Sequence, residues 1–161
     1  MSATFAWKES NGAGETETTA TNVNFGSADS PNLVPASNLI QVGTNSYGKY
    51  IRGKFTGIWT SISNMKFWKS AGALVTGETI KASANATYAT PSASSTGDSD
   101  VPTTEGAALA INSFEGAATI VYGASGVSGY TGYIRLQTQS TGSTPTGVAN
   151  TKTFTFSYDE S

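Results

Sequence analysis

The sequence predicts an all-β protein, a single antiparallel β-sandwich of the immunoglobulin-like or jelly-roll type with at most one short helix. Ser, Thr and Gly are abundant among the 161 residues, whereas Leu, Ile and Met are scarce, a composition that favours strands and turns over helices. Short runs of alternating apolar and polar residues recur about every 10–15 residues, with turn-forming residues between them. Because the chain lacks helical segments that could connect parallel strands, we expect the strands to be antiparallel.

The clearest strand signal lies near the C-terminus, where Phe154, Phe156 and Tyr158 share one face with Lys152 while Thr and Ser occupy the other. The same alternation predicts strands around Phe5 and Trp7, Ile51 and Phe55, Met65 and Phe67, Ile134 and Leu136, and over residues 79–90 and 117–123. One short helix or none is expected, and the only segment that could form about two turns is residues 104–112, which begin with a possible Thr cap and are rich in Ala.

The whole chain, residues 1–161, is predicted to form one domain, because strands occur on both sides of every irregular segment. We expect an extended N-terminal arm over residues 1–24 and an exposed, low-complexity loop over residues 89–105. The N-terminus lacks the basic region and apolar run of a signal peptide, and no stretch approaches the roughly 20 apolar residues of a membrane span. We therefore expect synthesis in a cytoplasm and no membrane partner.

The composition excludes most common catalytic chemistry. The chain has no Cys and no His, so it cannot form disulfides, Cys- or His-ligated zinc sites, cysteine nucleophiles or Ser-His-Asp triads. Its net charge of -2 also provides no long-range field that would attract nucleic acid. We therefore predict no enzyme activity, no cofactor and no nucleic-acid partner.

Acidic residues that are close together in sequence are the remaining candidates for chemistry. Asp98 and Asp100 lie in a segment rich in Ser and Gly, but an EF-hand loop that began at Asp98 would need Glu where this chain has Leu109. The other neighbouring carboxylates lie in polar or terminal sequence, which offers no apolar pocket to raise the pKa of a catalytic acid. The sequence therefore predicts no metal site and no catalytic carboxylate.

The charges are distributed unevenly along the chain. Residues 30–77 contain no acidic residue, yet they hold five of the nine basic ones, interleaved with aromatic residues: Lys49, Arg52, Lys54, Lys66 and Lys69. One interpretation is a basic, aromatic-bearing sheet face that docks on an acidic protein surface or stacks on sugars. The other, which the spacing favours slightly, is that solvated charges alternate with core aromatics along two strands.

Four runs of sequence point to a known group of proteins. They are NVNFG at residues 22–26, GTNSYGKYIRGKF at 43–55, MKFWKS at 65–70 and TKTFTFSYDE at 151–160. These runs resemble small auxiliary structural proteins in the virions of tailed bacteriophages, among which capsid decoration proteins fit best in size and composition. The resemblance spans most of the chain, thins over residues 89–130 and carries no catalytic residues.

The resemblance implies a β-sandwich protein that is made in the host cytoplasm and becomes part of the virion. It would bind the outside of a preformed shell of major capsid protein and reinforce it, commonly as a homotrimer. The candidate contact residues lie on outward strand faces or in the N-terminal arm, and they are Arg52, Lys54, Lys66 and Trp68 together with Phe5 and Trp7.

Two alternatives remain open at this point. A tail tube or tail fibre component would assemble the same sandwich into rings or trimeric spikes. A carbohydrate-binding module would use Tyr50, Trp59 and Trp68 as platforms on which sugar rings stack.

Overall fold

The computed structural model describes residues 3–111, 120–121, 127–146 and 150–161, and it confirms the predicted β-sandwich. In chain order, the strands within these ranges are β1 (Thr4–Asn11), β2 (Thr16–Thr19), β3 (Lys49–Gly57), β4 (Ser61–Ala71), β5 (Glu78–Asn85), β6 (Ser99–Asp100), β7 (Leu109–Ala110), β8 (Ile120–Val121), β9 (Val127–Tyr130), β10 (Tyr133–Ser140) and β11 (Thr153–Glu160). The larger sheet has the order β2-β1-β3-β10-β5-β6, with β9 also paired to β3. The smaller sheet has the order β11-β4-β7, with β8 also paired to β4. These pairings are all antiparallel.

The hydrophobic core lies between the two sheets, and the alternation of side chains along each strand explains its composition. The larger sheet contributes buried Ile51 and Phe55 from β3, and the smaller sheet contributes Phe67 from β4 and partly buried Phe156 from β11. Because every second side chain of a strand points to the same face, the residues between them point away from the core. Burial of each large apolar side chain contributes about 1.5–3 kcal/mol, so this layer holds the sheets together.

The N-terminal segment contributes two strands, β1 and β2, to the larger sheet, which corrects the expectation of an extended arm over residues 1–24. β1 pairs with β3 from Thr4 to Ser10 and with β2 on its other side. The rings of Phe5 and Trp7 each lie 5.2 Å, between centroids, from the ring of Phe156 in the smaller sheet. Two aromatic rings at alternate positions leave water when this strand joins the sheet, which favours pairing over an extended arm.

The expected helix over residues 104–112 is replaced by a shorter turn and a strand. Glu105–Ala107 form a 3₁₀ turn and Leu109–Ala110 form β7, while residue 112 lies outside the described residues. Thr104 makes no side-chain hydrogen bond that would cap a helix, and Gly106 disfavours helical structure. A second 3₁₀ turn spans Pro35–Ser37, and the described residues contain no helix long and apolar enough to cross a membrane.

Residues 79–105 differ from the prediction at both ends of the expected loop. The strand predicted over residues 79–90 ends at Asn85. The loop over residues 89–105 is mostly exposed, but β6 pairs with β5 and Val101, 6% exposed, joins the core. The apolar side chain of Val101 and the pairing of β6 with β5 thus both attach the loop to the sandwich. Of the strand predicted over residues 117–123, Ile120–Val121 form β8, and the other residues lie outside the described ones.

Candidate functional site

The residues that the sequence grouped into one basic face lie on opposite sides of the sandwich. Arg52 and Lys54 belong to β3 in the larger sheet, whereas Lys66 and Trp68 belong to β4 in the smaller sheet. The inward-facing residues beside them meet in the core between the sheets. The four side chains therefore point outward in opposite directions, and they do not form one docking surface.

The basic side chains of the predicted face also have contacts within the chain. Lys66 Nζ lies 3.8 Å from Glu105 Oε1, and Lys69 Nζ donates a hydrogen bond of 2.7 Å to a backbone carbonyl in the following turn. Lys54 Nζ lies 5.2 Å from the centroid of the Tyr130 ring. The arrangement is thus closer to surface charges that alternate with core aromatics than to a basic docking face.

Arg52 is at the centre of a polar and aromatic cluster on the outer face of the larger sheet. Its guanidinium carbon lies 4.1 Å from the centroid of the Tyr130 ring and 4.7 Å from that of Tyr133. The guanidinium also contacts Glu17 at 2.9 and 3.0 Å and Glu15 at 3.8 Å. Only 15% of the Arg52 side chain is exposed. Because Glu15 and Glu17 belong to the hairpin of β1 and β2, the cluster fastens that hairpin to the rest of the sheet.

Three tyrosines extend this cluster along the same face. The ring of Tyr88 lies 5.1 Å from that of Tyr50 and 5.9 Å from that of Tyr133, between centroids. The Tyr88 hydroxyl donates a hydrogen bond of 2.7 Å to the backbone carbonyl of Gly12. Burial, reinforced by nearby carboxylates, raises the pKa of Tyr88 to about 12, and burial followed by a hydrogen bond to Glu15 raises the pKa of Tyr133. Both phenols are therefore protonated hydrogen-bond donors at neutral pH.

The platforms predicted for a carbohydrate-binding module are mostly buried. Tyr50 and Trp59 are each 3% exposed, and only Trp68 among the three is partly exposed, on the outer face of the smaller sheet. A sugar ring stacks on an aromatic ring whose face is open to solvent. The predicted set of three residues therefore does not form a sugar-binding platform.

Asp98 and Asp100 attach their loop to the larger sheet. Arg135 Nε lies 2.7 Å from Asp98 Oδ2, and Lys81 Nζ lies 2.6 Å from Asp100 Oδ1. Burial disfavours ionisation of Asp98, but the hydrogen bond and positive charge of Arg135 outweigh burial and lower the pKa of this carboxyl group. Both carboxylates are thus ion-paired to strands of the sheet.

Replacing Arg52 by Lys is expected to destabilise the fold by about 1–2 kcal/mol. Lys keeps the positive charge, but it cannot stack a planar group on two tyrosine rings or bind Glu17 through two nitrogens. Urea unfolding would measure the loss, with Lys54→Arg as the matched control on the same strand. The control should stay within about 0.5 kcal/mol of the wild type. An Arg52→Lys variant as stable as the wild type would show that the cluster does not hold the hairpin.

A cleft of about 580 Å³ opens between the two sheets. Trp7 and Ile51 of the larger sheet and Phe67 of the smaller sheet line it, together with Glu78 and residues 20–25, 35–36, 38–40 and 150–154. Its volume lies within the range of about 300–1,000 Å³ that is typical of binding pockets. The cleft can therefore accept a segment of another molecule against a largely apolar lining.

A segment without charges, which we call the neutral loop (residues 30–48), borders this cleft. It contains no Lys, Arg, Asp or Glu, and several of its residues line the cleft. Val34, Leu39 and Val42 within it are 59%, 66% and 40% exposed, respectively. Exposed apolar side chains on one loop are candidates for contact with another protein, because their burial removes apolar area from water.

The neutral loop is held in place by hydrogen bonds to its backbone carbonyl groups. Ser27 N donates a hydrogen bond of 3.1 Å to Asn38 O, and Ser140 Oγ donates one of 2.7 Å to Thr44 O. The chain passes so close at Gly26 that a Cβ atom there would lie 2.9 Å from Asn38 O. These contacts fix the shape in which the loop presents its apolar side chains.

Sequence reasoning did not select the neutral loop, because it has neither a strand nor a helix periodicity. The signal that could have identified it is the long run without charge that contains Val34, Leu39 and Val42. Comparison of the chain with protein families, curated proteins and solved structures finds no match in any of the three.

Proposed function

We propose that this protein is a non-enzymatic structural component of a tailed-phage virion, a capsid decoration protein that binds the outside of the major capsid protein shell. The resemblance of four sequence runs to such proteins supports the proposal, and the β-sandwich fold agrees with it. The contact surface is the neutral loop and the adjoining cleft, since the basic residues first considered for this role have contacts within the chain.

The observation that carries the proposal is the exposure of Val34, Leu39 and Val42 on a loop without charges. Burying each of these side chains in an interface would contribute about 1–2 kcal/mol, because roughly half of each is in contact with water in the isolated chain. The centres of protein interfaces are also depleted of charged residues, as this loop is. A protein surface is therefore the partner that the loop fits best.

The cleft beside the loop gives the partner a place to insert a segment of chain. Its inner wall is apolar where Trp7, Phe25 and Phe67 line it, whereas the exposed amides of Asn22 and Asn150 lie on its polar side. Apolar walls bind side chains, and amides can pair with the backbone of an extended segment. Because the loop is already held in place, little conformational freedom is lost on binding.

A weak contact between each neutral loop and the capsid shell is enough for stable attachment when several loops bind at once. The shell presents many identical sites, and a homotrimer would bind three of them at once, so that one released subunit rebinds before the others dissociate. The proposal therefore requires only a moderate affinity from each neutral loop. Light scattering of the purified protein would measure whether it forms the trimer.

Co-sedimentation with empty capsids that were assembled without this protein tests the proposal. We expect saturable binding at a fixed ratio to the major capsid protein. The neutral loop carries no charge, and the two charged residues that line the cleft, Glu78 and Lys152, form a buried ion pair with each other. Binding should therefore persist when the salt concentration is raised from about 0.1 M to about 1 M. Absence of saturable binding would contradict the proposal. Loss of binding in high salt would indicate that the basic residues, rather than the neutral loop, form the contact. Rings or long trimers in light scattering would favour the tail component instead.

A further inference from the structure

Two strands bring together an amine, a carboxylate and a carboxamide in the protein interior. Lys49 and Glu9 are fully buried, and Asn11 is 6% exposed. Lys49 Nζ lies 2.8 Å from Glu9 Oε1, and Asn11 Nδ2 donates a hydrogen bond of 3.1 Å to the same oxygen. Pairing of β1 with β3 places Ser10 opposite Tyr50, so the next positions along the strands are Asn11 and Lys49. The amine and the carboxamide are therefore close neighbours across the two strands.

Residues that follow β2 cover this group, which we call the buried triad (Glu9, Asn11 and Lys49). Asn11 Nδ2 also donates a hydrogen bond of 2.7 Å to Asp29 Oδ1, and Lys49 Nζ donates one of 2.7 Å to Ser30 O. Within the part of the chain that the structure describes, Glu9 Oε2 and Asn11 Oδ1 are buried and have no hydrogen-bond partner. A buried ion pair beside two unpaired oxygens is costly, because both the charges and the oxygens have lost their contact with water.

We propose that Lys49 and Asn11 form an intramolecular amide bond, with Glu9 as the group that moves the protons. Glu9 accepts a proton from the Lys49 ammonium, and the neutral amine attacks Cγ of Asn11. The Nζ–Cγ bond forms and the Cγ–Nδ2 bond breaks. Glu9 passes the first proton to the leaving nitrogen, accepts the second proton that Nζ loses, and remains protonated. One molecule of ammonia leaves, and no oxidant or other reactant is needed.

Formation of the amide bond removes both features that make the buried triad unfavourable, namely its buried charges and its two oxygens without hydrogen-bond partners. The ion pair of Glu9 and Lys49 becomes a neutral carboxylic acid and a neutral amide, so no charge remains buried there. The protonated carboxyl group of Glu9 can donate a hydrogen bond to Asn11 Oδ1, which satisfies the two oxygens that lack partners before the reaction. The bond would fasten β1 covalently to β3 in a chain that has no cysteine for a disulfide. This inference does not depend on the proposed function.

Mass spectrometry of the wild-type protein tests the inference without any substitution. The intact mass, after allowance for removal of Met1, should be lower than the mass of the sequence by one ammonia. Trypsin should fail to cleave after Lys49, because its amine is part of an amide. The digest should therefore contain one peptide of residues 9–52, bounded by Lys8 and Arg52, that lacks one ammonia. Full mass with cleavage after Lys49 would overturn the inference.

The chain supplies an internal control for the digest. Lys152 and Glu78 form a second ion pair, 2.8 Å long, in which the side chains are 7% and 4% exposed. Among the described residues, Glu78 accepts side-chain hydrogen bonds from Lys152 and from the backbone of Val75, and from no carboxamide. We therefore expect normal cleavage after Lys152 in the same digest. Failure of cleavage at both lysines would reflect incomplete unfolding and would require digestion in denaturant, where the result at Lys49 decides.

A cyclic imide at Asn11 is the competing explanation for a lost ammonia, because Gly12 follows Asn11 and such sequences cyclise readily. The imide leaves Lys49 free, so trypsin would cleave there, and hydroxylamine would split the chain after Asn11. That outcome would overturn the inference. The variants Glu9→Gln and Lys49→Arg should both retain the full mass, whereas Lys152→Arg should still lose one ammonia.

Discussion

Phe5→Ala is expected to lower the free energy of unfolding by about 3 kcal/mol. The ring of Phe5 lies 5.1 Å from that of Phe55, 5.2 Å from that of Phe156 and 6.0 Å from that of Tyr158, between centroids. It thus joins the two sheets, and its removal leaves a cavity that these rings cannot fill without moving apart. Urea unfolding followed by tryptophan fluorescence would measure the change, because Trp7 lies 5.0 Å from the Phe5 ring.

Leu39→Ala is the control for the Phe5 variant. It also truncates a large apolar side chain, but 66% of Leu39 is exposed, so the free energy of unfolding should change by less than about 0.5 kcal/mol. If Phe5→Ala lowered the free energy of unfolding by no more than this control does, the N-terminal segment would be a detachable arm, as the sequence predicts, rather than a strand of the sandwich.

The double variant Val34→Ser, Leu39→Ser is expected to lower the affinity for capsids by about 100-fold. These two side chains are the most exposed large apolar groups of the neutral loop, at 59% and 66%. Replacing them with Ser removes much of the apolar area that the neutral loop exposes, while the stability of the free protein should not change. Titration of capsids with labelled protein would give the affinity, and thermal unfolding would confirm that the fold is retained.

Leu74→Ser is the matched control for the loop variant. Leu74 is 40% exposed but lies in the connection between β4 and β5 rather than in the neutral loop. If the neutral loop is the contact surface, this control should bind capsids as the wild type does. An equal loss in both variants would indicate that exposed apolar groups act without regard to their position, and it would contradict the role assigned to the loop.

Much of the fold follows from the sequence, because a strand with one buried face has a period of two residues. The alternation at Phe154, Phe156 and Tyr158 predicts both a strand and its inward face, and these residues do pack against the core. Alternation does not say which sheet a strand joins, however. β3 and β4 are adjacent in sequence and carry similar residues, yet the three residues between them lead the chain from one sheet to the other.

The candidate site was harder to predict than the fold, for two physical reasons. The neutral loop is irregular, so its shape depends on contacts with distant residues such as Ser140, which sequence patterns do not reveal. The buried triad is not predicted because charged residues are usually exposed, and both interpretations of the charge pattern place Lys49 at the surface. Only the structure shows that Glu9, far away in sequence, neutralises Lys49 in the interior.

A cryo-electron microscopy map of capsids saturated with this protein would show which surface contacts the shell. We expect density for the β-sandwich on the outer surface of the shell, with the neutral loop and the cleft facing the major capsid protein and Arg52 facing away from the contact. Density on the tail, or a sandwich whose neutral loop points into solvent, would contradict the proposed role.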